Sequence, residues 1–341
     1  MFSKVPSGRR GGIRSLALIA LLALLAFLAA LSVVVGTREV SFADILVALG
    51  GGTETVGQSA VATRIPRMVL ALLAGGALGL AGAVMQGVTR NPLADPGILG
   101  VNAGAALAVV VGVAWFGITS SEAYLWSALL GSACATVFVF RIGSLGPGGA
   151  TPLKLTLAGA ATSVACASLL VAVILPRGDI AGSLQSWQNY AGSVGGATFE
   201  RIVPVLHFLA AGFAISLLSA RKLNSLALGD DVAAGLGENV ALTRFIASLG
   251  AVLLCGATTA LCGPIAFLGL VVPHLCRLLI GVDYRWLLPF SAVGGACLLL
   301  AADILGRVVA RPGEVEVSII TALIGAPFFI WIVRRQKVRE L

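Results

Sequence analysis

Residues 63–105 read TRIPRMVLALLAGGALGLAGAVMQGVTRNPLADPGILGVNAGA. From Pro66 to Val88 nearly every residue is apolar or small, and a run of that length is sufficient to cross a bilayer as a helix, for which about 20 residues are needed. Proline cannot continue the helical hydrogen-bond ladder and biases the residue before it out of the helical conformation. The stretch therefore predicts a membrane helix that Pro66 opens and Asn91-Pro92 stops, with the next helix beginning at Asp95-Pro96-Gly97.

Small residues recur along one face of this helix. Gly75, Gly79, Ala83 and Gly87 are spaced by four residues, which places them in one continuous ridge where another backbone can approach closely. Two interpretations stay open at this point. The ridge is a packing face inside one subunit, or it lines a pathway or a dimer seam. The set predicted to line a pathway comprises Gly75, Gly79, Ala83, Gln86 and Gly87.

The composition of the whole chain excludes a water-soluble enzyme. The chain has 341 residues, of which 58% are hydrophobic and 11% are charged, whereas a soluble domain has about a quarter charged residues. Ten crossings of roughly 20 residues each would use most of this length. The sequence thus predicts one transmembrane domain over residues 1–341 and leaves no room for a large extramembrane domain.

Apolar windows and their interruptions by Gly, Pro and charged residues predict an all-α membrane protein with about ten transmembrane helices. The predicted spans are 16–36, 65–88, 97–116, 123–142, 153–176, 198–219, 241–261, 265–281, 286–306 and 316–333. The first follows Lys4 and three arginines, which predicts a membrane anchor with a cytoplasmic N-terminus. A signal-anchor that is later cleaved is the alternative for this segment.

An even number of spans returns the C-terminus to the cytoplasmic side. With both ends inside, most of the 23 Lys and Arg fall in inner loops, as the positive-inside rule requires. The net charge of +8 is then explained by membrane topology, and nucleic acid is not an expected partner. Six cysteines lie in or beside apolar runs and form no CxxC pair, so neither a disulfide framework nor a zinc site is expected.

A second stretch, LNSLALGDDVAAGLGENVALTR, occupies residues 223–244 between the sixth and seventh spans. Asp230 or Asp231 is a suitable N-cap and Gly237 a suitable stop for a helix of under two turns. A helix that short is marginal alone, so its apolar residues need a surface to contact. That surface belongs to a partner protein or to the same subunit, and the candidate contact residues are Leu223, Leu226, Leu228, Asp230, Val232, Leu236 and Glu238.

A third stretch, GPIAFLGLVVPHLCRLLIGVDYRWLLPFSAVGGACLLLAADILGR, occupies residues 263–307 and is followed by ITALIGAPFFIWIV at residues 320–333. With these motifs and the RxPR-type entry at Arg64, the chain resembles the membrane permease subunits of bacterial ABC importers for iron-siderophores, haem and cobalamin, also called type II importers. The resemblance covers almost the whole chain.

The resemblance implies an assembly in which two permeases, identical or similar, form a central pathway in the cell membrane. It implies that a cytoplasmic ATPase dimer binds the segment at about 222–240 and that an extracytoplasmic substrate-binding protein docks on outer arginines. The predicted docking residues are Arg64, Arg67 and Arg307, with Arg311 as a weaker addition. Arginine suits this role because its planar donor fork matches a carboxylate.

Two outer motifs depart from the family pattern. Where the family has E-L-P-x-G, this chain has Glu314-Val315-Glu316-Val317-Ser318, and where it has G-S-L-x-G-x-x-W, residues 192–199 carry Val and Phe substitutions. These departures leave the detailed docking surface open. Asp303 and Arg307, one turn apart, are expected to form a structural pair.

The chain carries no GxxxxGK[ST] loop, so ATP and Mg²⁺ are expected on a separate ATPase, with no cofactor, metal or catalytic residue in this chain. The sequence accordingly predicts a transport subunit for a ferric siderophore. A haem or cobalamin importer is the alternative within the class. A secondary transporter driven by an ion gradient is the rival from another class.

Overall fold

The computed structural model describes residues 7–92, 94–95, 97, 100–145, 151–176 and 192–335. The charged residues that lie outside this range include Lys4, Arg177, Asp179, Lys337 and Arg339, which contribute to the predicted distribution of charge between the two sides of the membrane. Within the described residues the chain is helical. The helices are α1 (Ser7–Val34), α2 (Phe42–Leu49), α3 (Val56–Val88), α4 (Val101–Phe116), α5 (Ser121–Gly143), α6 (Pro152–Ile174), α7 (Phe199–Ile202), α8 (Leu206–Leu218), α9 (Ala220–Leu226), α10 (Asp230–Gly235), α11 (Val240–Cys262), α12 (Leu268–Ile280), α13 (Tyr284–Val309) and α14 (Val317–Arg335).

Seven helical segments of the described chain have the length and composition of membrane spans, and three shorter apolar helices, α4, α12 and the apolar part of α14, accompany them. The sixth span is continuous from α7 to α8 through a 3₁₀ turn at Val203–Val205, where Pro204 removes a backbone donor. Each of the ten segments coincides with one predicted span to within a few residues, except that α3 is longer.

Helix α3 begins ten residues before Pro66, which corrects the prediction that this proline opens it. Thr55 caps the helix through its side chain, which accepts a hydrogen bond from the Gln58 backbone N–H, and Gln58 completes a capping box. Pro66 lies inside the helix. Helix α4, in contrast, begins later than predicted, at Val101, after Gly100 in a left-handed conformation (φ 72°).

Helix α3 is the central helix of the subunit. It packs against α13, α11 and α12 and is buried along most of its apolar length, whereas α1 packs on α13 and α3 with one face and leaves most of its surface exposed. At 1.5 Å per residue, 33 residues make α3 about 50 Å long, more than the hydrocarbon core requires. Its ends therefore extend to both faces of the membrane.

The small-residue ridge of α3 forms the seam with α13. A Cβ atom added at Gly75 would meet the backbone of Gly295, and one added at Gly79 would meet the carbonyl of Ser291. Ala83 is wholly buried, and Gly87 lies against the ring of Tyr284 at the start of α13. The ridge thus permits two helix backbones to lie in direct contact.

Gln86, the fifth residue of the predicted lining set, is buried against α12. Its amide nitrogen donates to the carbonyls of Gly269 (3.3 Å) and Leu270 (3.4 Å), and its oxygen accepts from Arg277 (2.5 Å). The prediction that this face lines a pathway is therefore corrected. All five residues are enclosed by helices of the same subunit, which is the packing alternative.

Candidate functional site

The outer end of the α3–α13 seam holds a buried cluster of charges. Asp303 of α13 has no exposed surface. Arg67 of α3 contacts its Oδ1 through Nε (2.8 Å) and Nη2 (2.7 Å), and Arg307 contacts its Oδ2 through Nη2 (2.7 Å). Arg67 also pairs with Glu314 at 2.6 Å. The predicted structural pair of Asp303 and Arg307 is confirmed, and Asp303 additionally joins α13 to α3.

Arg307 of this cluster and the neighbouring Arg64 bind the C-terminal end of α1. Arg307 donates to the carbonyls of Ser32 and Val35, both at 2.9 Å. Arg64 donates to those of Val33 (3.0 Å) and Val34 (2.9 Å). The last carbonyls of a helix have no partner within the helix and carry partial negative charge, so these cations satisfy and stabilise the end of α1.

The predicted docking residues are consequently not equivalent. Arg64, Arg67 and Arg307 are 6%, 9% and 2% exposed, while Arg311 is exposed and donates to the Gly36 carbonyl at 2.6 Å. The first three come together in the wall of an outer cavity of about 450 Å³. Arg38, Glu54 and Glu314 also line it. A role of these four arginines in docking stays a prediction.

One edge of this cavity is held by polar contacts between α2 and α3. Thr55, which lines the cavity, donates its hydroxyl hydrogen to Asp44 at 3.0 Å. Hydrogen bonds from the hydroxyl and then the backbone N–H of Ser41, together with that from Thr55, lower the pKa of Asp44 below its ordinary value. The carboxylate is thus kept ionised, and it fixes the short helix α2 beside the cavity.

The two motifs that depart from the family pattern lie in contact. The backbone N–H of Ser318 donates to the carbonyl of Gly192 at 3.0 Å. Gly192 adopts a positive φ of 76°, which favours glycine, and a Cβ atom there would meet the Ser318 side chain. Glu314 of the second motif is the residue that pairs with Arg67. These motifs therefore form part of the outer face next to the charge cluster.

The inner end of the subunit carries the segment that joins α8 to α11. It contains two short helices, α9 and α10, instead of one. Gly229, not an aspartate, precedes α10, and Gly237 (φ 86°) ends it, as expected for a left-handed stop. Asp230 does not cap the helix through its side chain but accepts from Nη2 of Arg244 with both carboxylate oxygens, at 2.9 and 3.0 Å.

The apolar residues of this segment divide into two groups. Leu223 and Leu226 are 0% and 1% exposed and pack inside the subunit, which corrects the expectation that these two contact a partner. Leu228, Val232 and Leu236 are 63%, 49% and 63% exposed. We call these three the exposed apolar triplet. Helix α9 gives the segment its attachment to the subunit, and the triplet remains available at the surface.

Polar contacts connect the segment to α3 and to α13, which we call the two central helices. Arg90, just after α3, pairs with Asp230 at 3.3 Å. Asn224 of α9 donates to Asp283 at 2.8 Å and accepts from the Tyr284 backbone N–H at 3.0 Å, at the start of α13. Glu238, the remaining predicted residue, accepts a long hydrogen bond from Thr243 at 3.4 Å. The segment is thus in direct contact with the inner ends of α3 and α13.

The model of the FecCD transport family matches residues 23–335. The chain belongs to this family. FecCD relatives with similar sequences are the ferric enterobactin transport system permease protein FepD of Escherichia coli (strain K12), 44% identical over 97% of this chain and 98% of that protein, and the hemin transport system permease protein HmuU of Yersinia pestis, 39% identical over 80% of this chain and 81% of that protein.

The fold of this FecCD chain also resembles a solved structure, an inward-facing conformation of a metal-chelate type ABC transporter. The TM-score is 0.81 at 29% identity, and the match covers 94% of this chain and 99% of that one. Family, relatives and helices agree that the chain is a multi-pass inner-membrane transport permease.

Removal of the buried carboxylate is expected to destabilise this FecCD chain. Asp303→Asn keeps the side-chain size but leaves Arg67 and Arg307 buried without their counter-charge, which costs about 3–5 kcal/mol. Thermal unfolding of the purified protein in detergent measures the loss. Glu314→Gln is the matched control, because Glu314 is 41% exposed and its replacement should cost about 1 kcal/mol or less. Equal losses in both variants would contradict the structural role of Asp303.

Proposed function

We propose that this chain is the membrane permease subunit of an ABC importer for ferric siderophores, which receives its substrate from an extracytoplasmic binding protein and releases it to the cytoplasm. The observation that supports this most directly is the exposed apolar triplet on the inner face, in a segment that the Arg90–Asp230 ion pair ties to α3 and the Asn224–Asp283 hydrogen bond ties to the start of α13. The relationship to ferric enterobactin and other siderophore permeases supports the substrate class.

A cytoplasmic ATPase dimer is the proposed partner of the triplet. Three apolar side chains in water are costly to expose, and a groove on a partner protein would bury them. ATP and Mg²⁺ would bind to the ATPase, since the sequence of this chain has no phosphate-binding loop. Energy would therefore enter this subunit only as movement of the segment at 222–240.

The central helices offer a route for that movement. Arg90 and Asn224 tie the segment to α3 and α13, whose backbones are in contact at Gly75 and Gly79 and whose outer ends are joined through Asp303. Helices coupled in this way move together. Closure of the ATPase dimer would accordingly tilt α3 and α13 as one body and alternate access to a pathway formed with a second permease, identical or similar to this chain.

Docking of the binding protein is proposed at the outer face, around Arg311 and the cavity. Arg311 is the exposed member of the predicted docking set, and Glu314 beside it is half-exposed. The buried arginines would act mainly by holding this surface in place. An acidic side chain on the binding protein would complement Arg311 through charge-assisted hydrogen bonds.

The energy source distinguishes this proposal from the secondary transporter. Proteoliposomes that contain this chain, its second permease and its ATPase are expected to take up an iron-loaded siderophore only with ATP on the ATPase side and the loaded binding protein on the other. Collapse of the proton and sodium gradients should leave the rate unchanged. Uptake that continues after ATP depletion and stops when the ion gradients are collapsed would refute the ABC assignment. Competition of haem or cobalamin with the siderophore tests the alternative substrates.

The exposed apolar triplet supplies a second test. Leu236→Asp should leave the thermal stability of the chain unchanged, because Leu236 is 63% exposed, but should lower ATP-driven uptake at least about tenfold by placing a charge in an apolar contact. Leu226 is unsuitable, since its burial would confuse uncoupling with unfolding. The control is Leu145→Asp, at a similarly exposed leucine outside the segment. Unchanged uptake in Leu236→Asp would contradict the coupling role.

Arg311 tests the docking surface. Arg311→Glu should weaken binding of the loaded binding protein about fivefold, mostly through a slower association rate, because charges at the rim of an interface steer encounter. Surface plasmon resonance with the complex in nanodiscs measures both rate constants. Arg311→Lys keeps the charge and should bind nearly as well as the parent. Equal association rates for the Glu and Lys variants would exclude Arg311 from docking.

A further inference from the structure

A second cavity lies between α5 and α11, away from the seam and from the outer charge cluster. Its volume is about 610 Å³. The lining extends along α5 from Ala133 to Ser144, a rise of about 16 Å, which is half the thickness of the hydrocarbon core. The groove thus has the depth of one membrane leaflet, on the side that the positive-inside rule predicts to be cytoplasmic.

The deeper part of the groove is apolar. Val137, Phe245 and Leu249 line it with 56%, 51% and 41% of their surface exposed in the subunit. The rings of Phe140 and Phe245 meet edge to face, with 6.3 Å between their centres, and close the groove between the two helices. Such a surface suits a hydrocarbon chain and offers no site to a free inorganic anion.

The polar residues of the groove are gathered at its inner end. They are Arg141 and Ser144 at the C-terminal end of α5, and Asp230 and Arg244 opposite them. Arg244 pairs with Asp230 at 2.9 Å, so these two charges compensate each other. Arg141 is exposed in the last turn of α5, and no ion pair of it occurs within the described residues. The inner end therefore presents one net positive charge.

We propose that this groove binds an anionic phospholipid of the inner leaflet, with its phosphate at Arg141 and an acyl chain along Val137, Phe245 and Leu249. The polarity gradient of the groove matches that of a phospholipid, and basic pockets between membrane helices on the cytoplasmic side bind anionic headgroups. Arginine forms two parallel hydrogen bonds to a phosphate. The charge at Arg141 favours an anionic headgroup over a zwitterionic one.

The position of the site gives the lipid a structural consequence. Asp230 is the first residue of α10 and faces the groove while it holds Arg244 and Arg90. A bound lipid would pack beside the contact that fixes the segment at 222–240 to α11. This site is independent of the proposed transport function, because lipid binding is measured on the chain without substrate or ATP.

Native mass spectrometry of the full chain in detergent, titrated with phosphatidylglycerol or phosphatidylcholine, tests the proposal. Phosphatidylglycerol should bind more tightly, and Arg141→Gln should weaken its binding about fivefold and that of phosphatidylcholine by less, because choline already compensates the phosphate charge. The matched control is Arg285→Gln, which removes another exposed cation from the same side without touching the groove. Leu249→Trp, which fills the apolar part, should reduce the binding of both lipids.

Three results would overturn the proposal. The first is equal affinity for the two lipids in the parent chain. The second is an equal effect of Arg141→Gln and Arg285→Gln, which would indicate general electrostatic attraction instead of a site. The third is a loss of dimers in Leu249→Trp with lipid binding unchanged, which would show that a second copy of the chain covers the groove.

Discussion

Asp303 is a carboxylate without exposed surface in a chain that is mostly apolar, and its burial is possible only because Arg67 and Arg307 approach it from two sides. An isolated buried charge would cost several kcal/mol, and two arginines that have remaining donors can be buried only if those donors are also satisfied. The end of α1 meets this requirement with carbonyls that need donors. One carboxylate thereby determines the relative positions of α1, α3 and α13.

The glycine seam has the complementary role in the membrane interior. No hydrophobic driving force acts between helices that are surrounded by lipid, so close backbone contact and dispersion must hold them together. At Gly75, Gly79 and Gly295 there is no side chain to separate α3 from α13. The charge cluster joins the two helices at their outer ends, and near the inner end both contact the segment at 222–240, α3 through the Arg90–Asp230 ion pair and α13 through the Asn224–Asp283 hydrogen bond. Such a pair is well suited to transmit a tilt from one face to the other.

The sequence predicts the helical spans well because each span is a run of apolar residues whose ends are marked by charge, Gly or Pro. It misplaces the start of α3 because the helix start is set upstream by the capping box of Thr55 and Gln58, and the helix continues through Pro66. The position of Arg67 on the outer face follows from the topology. Its burial does not, since its partner Asp303 is 236 residues away and the pairing depends on how the helices pack.

In the inner segment, too, the burial of individual residues depends on tertiary packing that the sequence pattern does not show. The alternation of leucines and polar residues predicts short helices in need of a surface, and it leaves open whether that surface is internal or external. Leu223 and Leu226 lie on the buried side of α9 and contact an internal surface, whereas Leu228, Val232 and Leu236, in and beside α10 where the chain bends at Gly229, are exposed. The direction of that bend is set by Gly229 and by the contacts of Asp230, which are tertiary.

The attachment of α1 has a consequence for how the protein responds to bilayer thickness. A peripheral helix with a long apolar surface would ordinarily adjust to a thicker or thinner membrane by sliding along its neighbours. Here Arg64, Arg307 and Arg311 hold its outer end through the carbonyls of residues 32–36, so its depth is fixed to that of the central pair. A mismatch between the length of α1 and the bilayer thickness must then be accommodated by deformation of the lipid around α1 or by tilt of the whole subunit. Through α1, the central helices therefore respond to the thickness of the membrane.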